Sequence, residues 1–213
     1  MILGYWDIHG LASPIRTLLE IVGADFENKV YPIENKEEWF KEKNDLGLLF
    51  PNLPYLIDGE TKITEHLAIL RYIAKKYNLA PENDDEIVLV DQVENHVFDI
   101  RFKLYLAAFD TANYEKSKKE YIRMVSDKLE GLEKLLSNNT YIVGEKFTYV
   151  DIYVHDFLIL LNAFENELLQ SKPNLMKYLN HMNELPTYES YKNSDKWEVR
   201  FLCGPKASFK EKY

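Results

Sequence analysis

The sequence predicts a small α/β domain followed by an all-helical one. Two observations carry this. Over the first third, short apolar runs alternate with amphipathic ones in the order β-α-β-α-β-β-α. Beyond the polar, proline-containing segment LAPENDDE only helical periodicity remains. The expected division is residues 1–78 and residues 86–213.

Each element has a local reason. ILGYW is a short apolar strand. Ser13 suits an N-cap, Pro14 the first helical position, and Gly23 the place just past the end of IRTLLEIV. DFENKVYPI reads as a strand with Phe26 and Val30 on its apolar side, and KEEWFKEKN as a short polar helical segment holding Trp39. PNLPYLIDGETKIT reads as a hairpin turning at Asp58-Gly59. Thr64 is expected to cap EHLAILRYIAKKY, which is apolar at Leu67, Leu70, Ile73 and Ala74 and ends at Asn78. From Glu86 to about Asn193 the helical pattern breaks at Asn113, around Asn138-Asn139, and at Pro173 and Pro186. Thr148-Tyr149-Val150-Asp151 has the form of a capping box before IYVHDFLILL. From about Lys196 no period is evident.

Composition narrows the partners. The chain has 213 residues, 46% of them hydrophobic, and a net charge of -9. That balance argues against nucleic acid and anionic membrane surfaces. No apolar stretch approaches the roughly 18 residues of a membrane span, and no basic region leads into an apolar run at the N-terminus. A single cysteine, Cys203, rules out an internal disulfide and a CxxC redox centre, and it fits a reducing, cytoplasmic setting. The five histidines show neither H-x-x-x-H nor HExxH spacing, so no metal site is expected.

The stretches LGYWDIHGLASPIR, EWFKEKNDLGLLFPNLPYLIDG, KITEHLAILRYIAKKYNL and VGEKFTYVDIYVHD resemble the mu-type cytosolic glutathione transferases. The first two are specific to that class, and the third marks the wider superfamily. With the order of elements, the resemblance spans essentially the whole chain. It implies a thioredoxin-like N-terminal domain, an all-helical domain forming the electrophile pocket, and a homodimer. It also implies glutathione as cosubstrate, no prosthetic group, and a small hydrophobic electrophile as second substrate.

Tyr5, at the end of the first strand, would be the catalytic residue in this reading. A phenol O–H aimed at a thiol favours the thiolate and lowers its pKa, each unit being worth about 1.4 kcal/mol. The thiolate is the nucleophile, so the protein needs no cysteine of its own. Taken alone, Tyr5 would better suit a strand-end residue packed under a helix; the surrounding motif favours the catalytic reading. Trp6 and Leu11 would line the sulfur end, with the Trp6 indole near the glycyl carboxylate. Trp39 and Lys43, four apart on one face, would bind that carboxylate, although alone they fit a surface aromatic and a solvated lysine.

Asn52-Leu53-Pro54 would meet the cysteinyl unit. A cis Leu53–Pro54 bond is expected there, with the Leu53 backbone pairing like an added strand. Glu65 and His66, at a helix N-terminus, would receive the γ-glutamyl end. Relatives usually carry serine where His66 stands. Either its imidazole donates, so that binding weakens as pH rises through its pKa, or its side chain turns to solvent and only the backbone binds. Asp99 would reach the glutathione ammonium of the other subunit, Phe50 would plug a pocket between helices of the partner, and Arg101 reads as structural or dimer-facing.

The electrophile pocket is expected to join Ile8 and Leu11 to Tyr105, Leu106 and Phe109, with Phe201 and Phe209 of the tail as a lid. Phe109 replaces a tyrosine common in relatives, and His9 a more usual basic residue. These departures keep a second function open, that of a weakly catalytic carrier of hydrophobic ligands.

Overall fold

The computed structural model describes residues 1–213. Strand β1 (Ile2–Trp6), helix α1 (Ser13–Ile21), β2 (Glu27–Tyr31), α2 (Glu37–Glu42), β3 (Tyr55–Asp58), β4 (Thr61–Thr64) and α3 (His66–Lys76) follow in the expected order. The sheet runs β2-β1-β3-β4. β1 lies parallel to β2, with Tyr5 opposite Val30, and antiparallel to β3. α4 (Asp84–Phe109), α5 (Tyr114–Leu135), α6 (Tyr149–Phe164), α7 (Asn166–Gln170), α8 (Pro173–Asn183) and α9 (Pro186–Lys192) complete the chain. The architecture is thus a thioredoxin-like α/β unit joined to a helical one.

Several local expectations are corrected. A 3-10 turn over Gly10–Ala12 precedes α1, so the Ser13 N–H already donates to the His9 carbonyl at 3.0 Å. The Ser13 hydroxyl bonds His9 Nδ1 instead of capping the helix. Thr64 is the last residue of β4; the cap position of α3 belongs to Glu65, held at φ 70. Asp58 pairs with Thr61, which makes Gly59-Glu60 the turn. α4 starts two residues before Glu86 because the Asn83 side chain accepts the Glu86 N–H at 3.0 Å. The tail is no lid. Phe209 is buried against Phe164, and the Phe201 carbonyl accepts the His9 N–H.

One core of 43 buried residues runs through both halves, from Leu3, Leu18 and Leu70 to Ile100, Val154 and Phe157. α6 is buried on nearly every side, which explains its unbroken apolar run. The seam between halves also carries charge. Arg71 of α3 donates to Glu94 of α4 at 3.2 Å, Tyr149 of α6 donates to the same carboxylate, and the Tyr149 N–H donates to the Leu79 carbonyl at 3.0 Å.

The capping box forms. Asp151, fully buried, accepts from the Thr148 N–H, the Ile142 N–H and the Tyr178 hydroxyl at 2.8, 2.8 and 2.9 Å. It therefore fixes the start of α6, the loop before it, and α8 together. Asp151→Ala would strand three buried donors, so a loss of about 3 kcal/mol or more is expected, read as a lower urea midpoint at unchanged slope.

Three histidines are buried outside any ion pair, with only the Asp156 carboxylate near His9 and His155. His9 and His155 are pushed down to about 4, and His66 to about 3, chiefly by desolvation. Their folded values lie below the unfolded one, so the unfolded chain binds more protons between roughly pH 6.5 and 4. Their contribution to stability is present above pH 6.5 and is lost as pH falls. Urea titrations at pH 7 and 5 should differ by about 5 kcal/mol from the three together, less stable at pH 5. A flat profile would contradict their neutral burial.

Candidate active site

β1 delivers Tyr5 to the edge of a cleft of about 450 Å³, the size of a small-ligand pocket. The phenolic oxygen accepts the Leu11 N–H at 3.1 Å, and the O–H donates to nothing within the chain. Close approach of the loop makes this possible. Gly10 lies at φ +47, and a Cβ there would come within 2.6 Å of the Tyr5 oxygen.

That loop is pinned from several sides. Arg16, buried, donates to the carbonyls of Ile8 at 2.9 Å and Trp6 at 3.3 Å, and to the Asn28 side chain at 3.1 Å. The N–H groups of His9 and Gly10 donate to the tail carbonyls of Phe201 and Leu202. Arg101 of α4 donates to the Gly10 carbonyl at 2.9 Å.

Of the residues expected at the site, the cleft brings together Tyr5, Trp6, Ile8, Leu11, Glu65, His66, Tyr105 and Phe109. Leu106 is not among them; it faces a separate groove with Tyr121 and Met124. Trp39 is buried away from the cleft, stacked on Tyr55 at 6.1 Å, and the Lys43 ammonium lies 5.1 Å from the Phe40 ring. The Leu53–Pro54 bond is cis, and the Leu53 backbone takes no part in the chain's own backbone hydrogen bonds. Asn52 is exposed. Asp99 pairs with Lys103 at 2.8 Å and Lys128 at 3.5 Å, outside the cleft. Phe50 is 64% exposed.

Two residues had alternatives open. His66 does not turn to solvent. Its ring packs between Phe98 and Tyr153, its Nε2 is buried without a partner, and desolvation holds it neutral. A loss of binding as pH rises through its pKa therefore does not follow. For Arg101 the structural alternative holds rather than the dimer-facing one. It faces the cleft, pairs with Asp156 of α6 at 2.7 Å, and donates through Nε to the Tyr105 oxygen at 3.1 Å. Its Nη1 is buried and unpartnered. Gly10, Ile33, Phe98, Phe102 and Cys203 also line the cleft and were not anticipated. The Phe98, Phe102, Tyr105 and Phe109 spacing was visible as a helix stripe, but nothing in it said which way the stripe faces.

Comparisons with known proteins agree with this geometry. Residues 1–75 match the "Glutathione S-transferase, N-terminal domain" family and residues 93–186 the "Glutathione S-transferase, C-terminal domain" family. The chain is 40% identical to Glutathione S-transferase Mu 1 of Bos taurus over 210 residues, covering 96% of this chain and 94% of that one. It is 41% identical to Glutathione S-transferase Mu 4 of Mus musculus over 210 residues, with the same coverage. The crystal structure of the glutathione S-transferase Blo t 8 superposes with a TM-score of 0.92 at 29% identity, covering 99% of this chain and all of that one. The chain therefore belongs to the glutathione S-transferase family, and its resemblance to Mu-class members runs nearly its full length.

Proposed function

We propose that this glutathione transferase activates the thiol through Tyr5 and adds the resulting thiolate to apolar electrophiles held by the helical half. The observation that carries the reading is the half-used phenol. The Tyr5 oxygen is filled by the Leu11 N–H, and its proton is left for a sulfur in the cleft. Burial raises the Tyr5 pKa above the usual phenol value, so the donor stays protonated at neutral pH. Arg16, 5.8 Å from the Tyr5 ring, and Arg101 add positive charge that favours an anion there.

The rest of glutathione follows the thiol. The unpaired backbone of Leu53 supports pairing with the cysteinyl unit, aided by Asn52 and Pro54. The free N–H groups at the start of α3 suit the γ-glutamyl carboxylate, with Glu65 for the ammonium and His66 contributing its backbone. Trp39 and Lys43 would hold the glycyl end, and Trp6 and Leu11 the sulfur end. Ile8, Tyr105 and Phe109 form the wall for the electrophile. In this reading residues 1–78 serve glutathione and residues 86–213 the acceptor, and the enzyme works in the cytosol. No helix is long and apolar enough to cross a membrane.

A homodimer is part of the proposal. Exposed Phe50 matches a groove of about 400 Å³ between α4 and α5, lined by Leu89, Val93, Leu132 and Leu135. Seated in a partner, it would also bring half-buried Asp99 toward the neighbouring glutathione.

Tyr5→Phe should lower kcat/KM with a chloronitroaromatic acceptor about a hundredfold while glutathione still binds. A variant as fast as wild type would refute thiol activation by Tyr5 and leave a ligand carrier as the better reading. Phe50→Ala should weaken dimerisation about thirtyfold or more, measured by sedimentation across a dilution series.

A further inference from the structure

Helix α2 is only six residues long and ends on Glu42. A helix this short has little stability of its own, so its place depends on what it is fastened to. Trp39 and Glu42, three apart, share the face turned to the sheet. The Trp39 ring stacks on Tyr55 at 6.1 Å and meets Tyr31 edge-on at 5.6 Å. Tyr55 can lie there because Gly4 of β1 has no side chain; a Cβ would come within 2.2 Å of the Tyr55 ring. Glu42 makes the polar attachment. One of its carboxylate oxygens accepts from the Lys29 ammonium of β2 at 2.7 Å, and the other accepts from the Tyr31 hydroxyl. The Tyr31 oxygen is then free to accept from the Tyr55 hydroxyl at 2.8 Å. No other side chain of α2 hydrogen-bonds to the sheet. Desolvation opposes ionisation of Glu42, but the hydrogen bonds from Lys29 and Tyr31 outweigh it and hold the carboxyl below the usual carboxylate range. The attachment is therefore charge-assisted at neutral pH.

Lys43 follows Glu42 directly, and its ammonium lies against the Phe40 ring at 5.1 Å rather than in an ion pair of the chain. Because Lys29 neutralises Glu42, the charge of Lys43 is left for a ligand. We propose that Glu42 is a positioning residue for the glycyl end of glutathione. Through Lys29 and Tyr31 it fastens the end of α2, so that Trp39 and Lys43 are already in place when the tripeptide arrives. This rests on the glutathione reading above, in which those two residues hold the glycyl carboxylate. Contacts at that end are far from the sulfur and are the same before and during reaction. They change how tightly the thiol substrate is held and leave turnover alone. Unfastening α2 adds the cost of ordering it to each binding event. A thiol that lacks the glycine draws nothing from α2, so it is insensitive to how α2 is held.

The test measures kcat and KM for glutathione and for γ-glutamylcysteine, which lacks the glycine, with chlorodinitrobenzene as fixed acceptor. It compares wild type, Glu42→Ala, Glu42→Gln and Lys43→Ala. Glu42→Ala should raise KM for glutathione about tenfold, with kcat within about twofold of wild type and KM for the dipeptide nearly unchanged. Glu42→Gln still accepts from Tyr31 and should raise KM for glutathione less. Turnover at saturating thiol reports that each variant folds. For Glu42→Ala, an equal rise in KM for both thiols, a loss confined to kcat, or no change would each overturn the proposal. Lys43→Ala separates the two readings. If it abolishes the preference for glutathione over the dipeptide while Glu42→Ala retains it, positioning by Glu42 alone fails. If wild type shows no such preference, the glycyl contacts themselves fail and the role of Glu42 falls with them.

Discussion

The site depends on two buried guanidinium groups that hold one loop. Arg16 and Arg101 donate to the carbonyls of Trp6, Ile8 and Gly10, and so set the path that brings Leu11 to Tyr5. Arg16 does this with no carboxylate bonded to it; desolvation lowers its pKa to about 10, and it remains charged at neutral pH. Burying a cation against backbone dipoles is costly unless each donor is placed. The return is positional and electrostatic at once. The groups that shape the loop also surround the phenol with positive potential, and an anion beside it is favoured before any ligand contact is counted.

Reactivity is correspondingly kept out of the protein's own side chains. Cys203 lines the same cleft, yet burial pushes its thiol up to about 12 against the opposing pull of Arg101. The resident thiol is inert at neutral pH and does not compete with a cosubstrate's. The β1 loop and α3 form one side of the cleft and α4 the other. Residues that handle the acceptor therefore come chiefly from one helix face, spaced three and four apart.

Much of this was legible in the sequence because it is written in local chemistry. The alternation of elements, Pro14 and Gly23 at the two ends of α1, Asn78 after α3, and the Thr148–Asp151 box all act within a few residues. The misreadings and the alternatives left open share a cause, which is competition from something distant. Ser13 has the chemistry of a cap, but a 3-10 turn takes its place and His9 takes its hydroxyl. Arg101 meets Gly10 across 91 residues of chain, and nothing in VFDIRFKLYL says that the loop will be there. His66 and Phe209 are similar cases; whether a ring faces solvent is decided by elements that local spacing does not mention.

The continuity of the core has a consequence for how such a protein can be recombined. Leu3, Leu18 and Leu70 belong to the same buried set as Val97, Val154 and Phe157. The polar linker marks a change of architecture, but it is not a line along which the molecule separates into self-sufficient parts. A hybrid that joins the first half of one family member to the second half of another inherits two half-surfaces shaped by different histories. It must reconcile side-chain volumes across the seam, and Arg71, Glu94 and Tyr149 must still meet there. Change is easier at the acceptor wall, where exposed Phe98, Phe102 and Phe109 can vary without disturbing that shared interior. New specificities should therefore arise by drift along one face of α4 more readily than by exchange of whole domains.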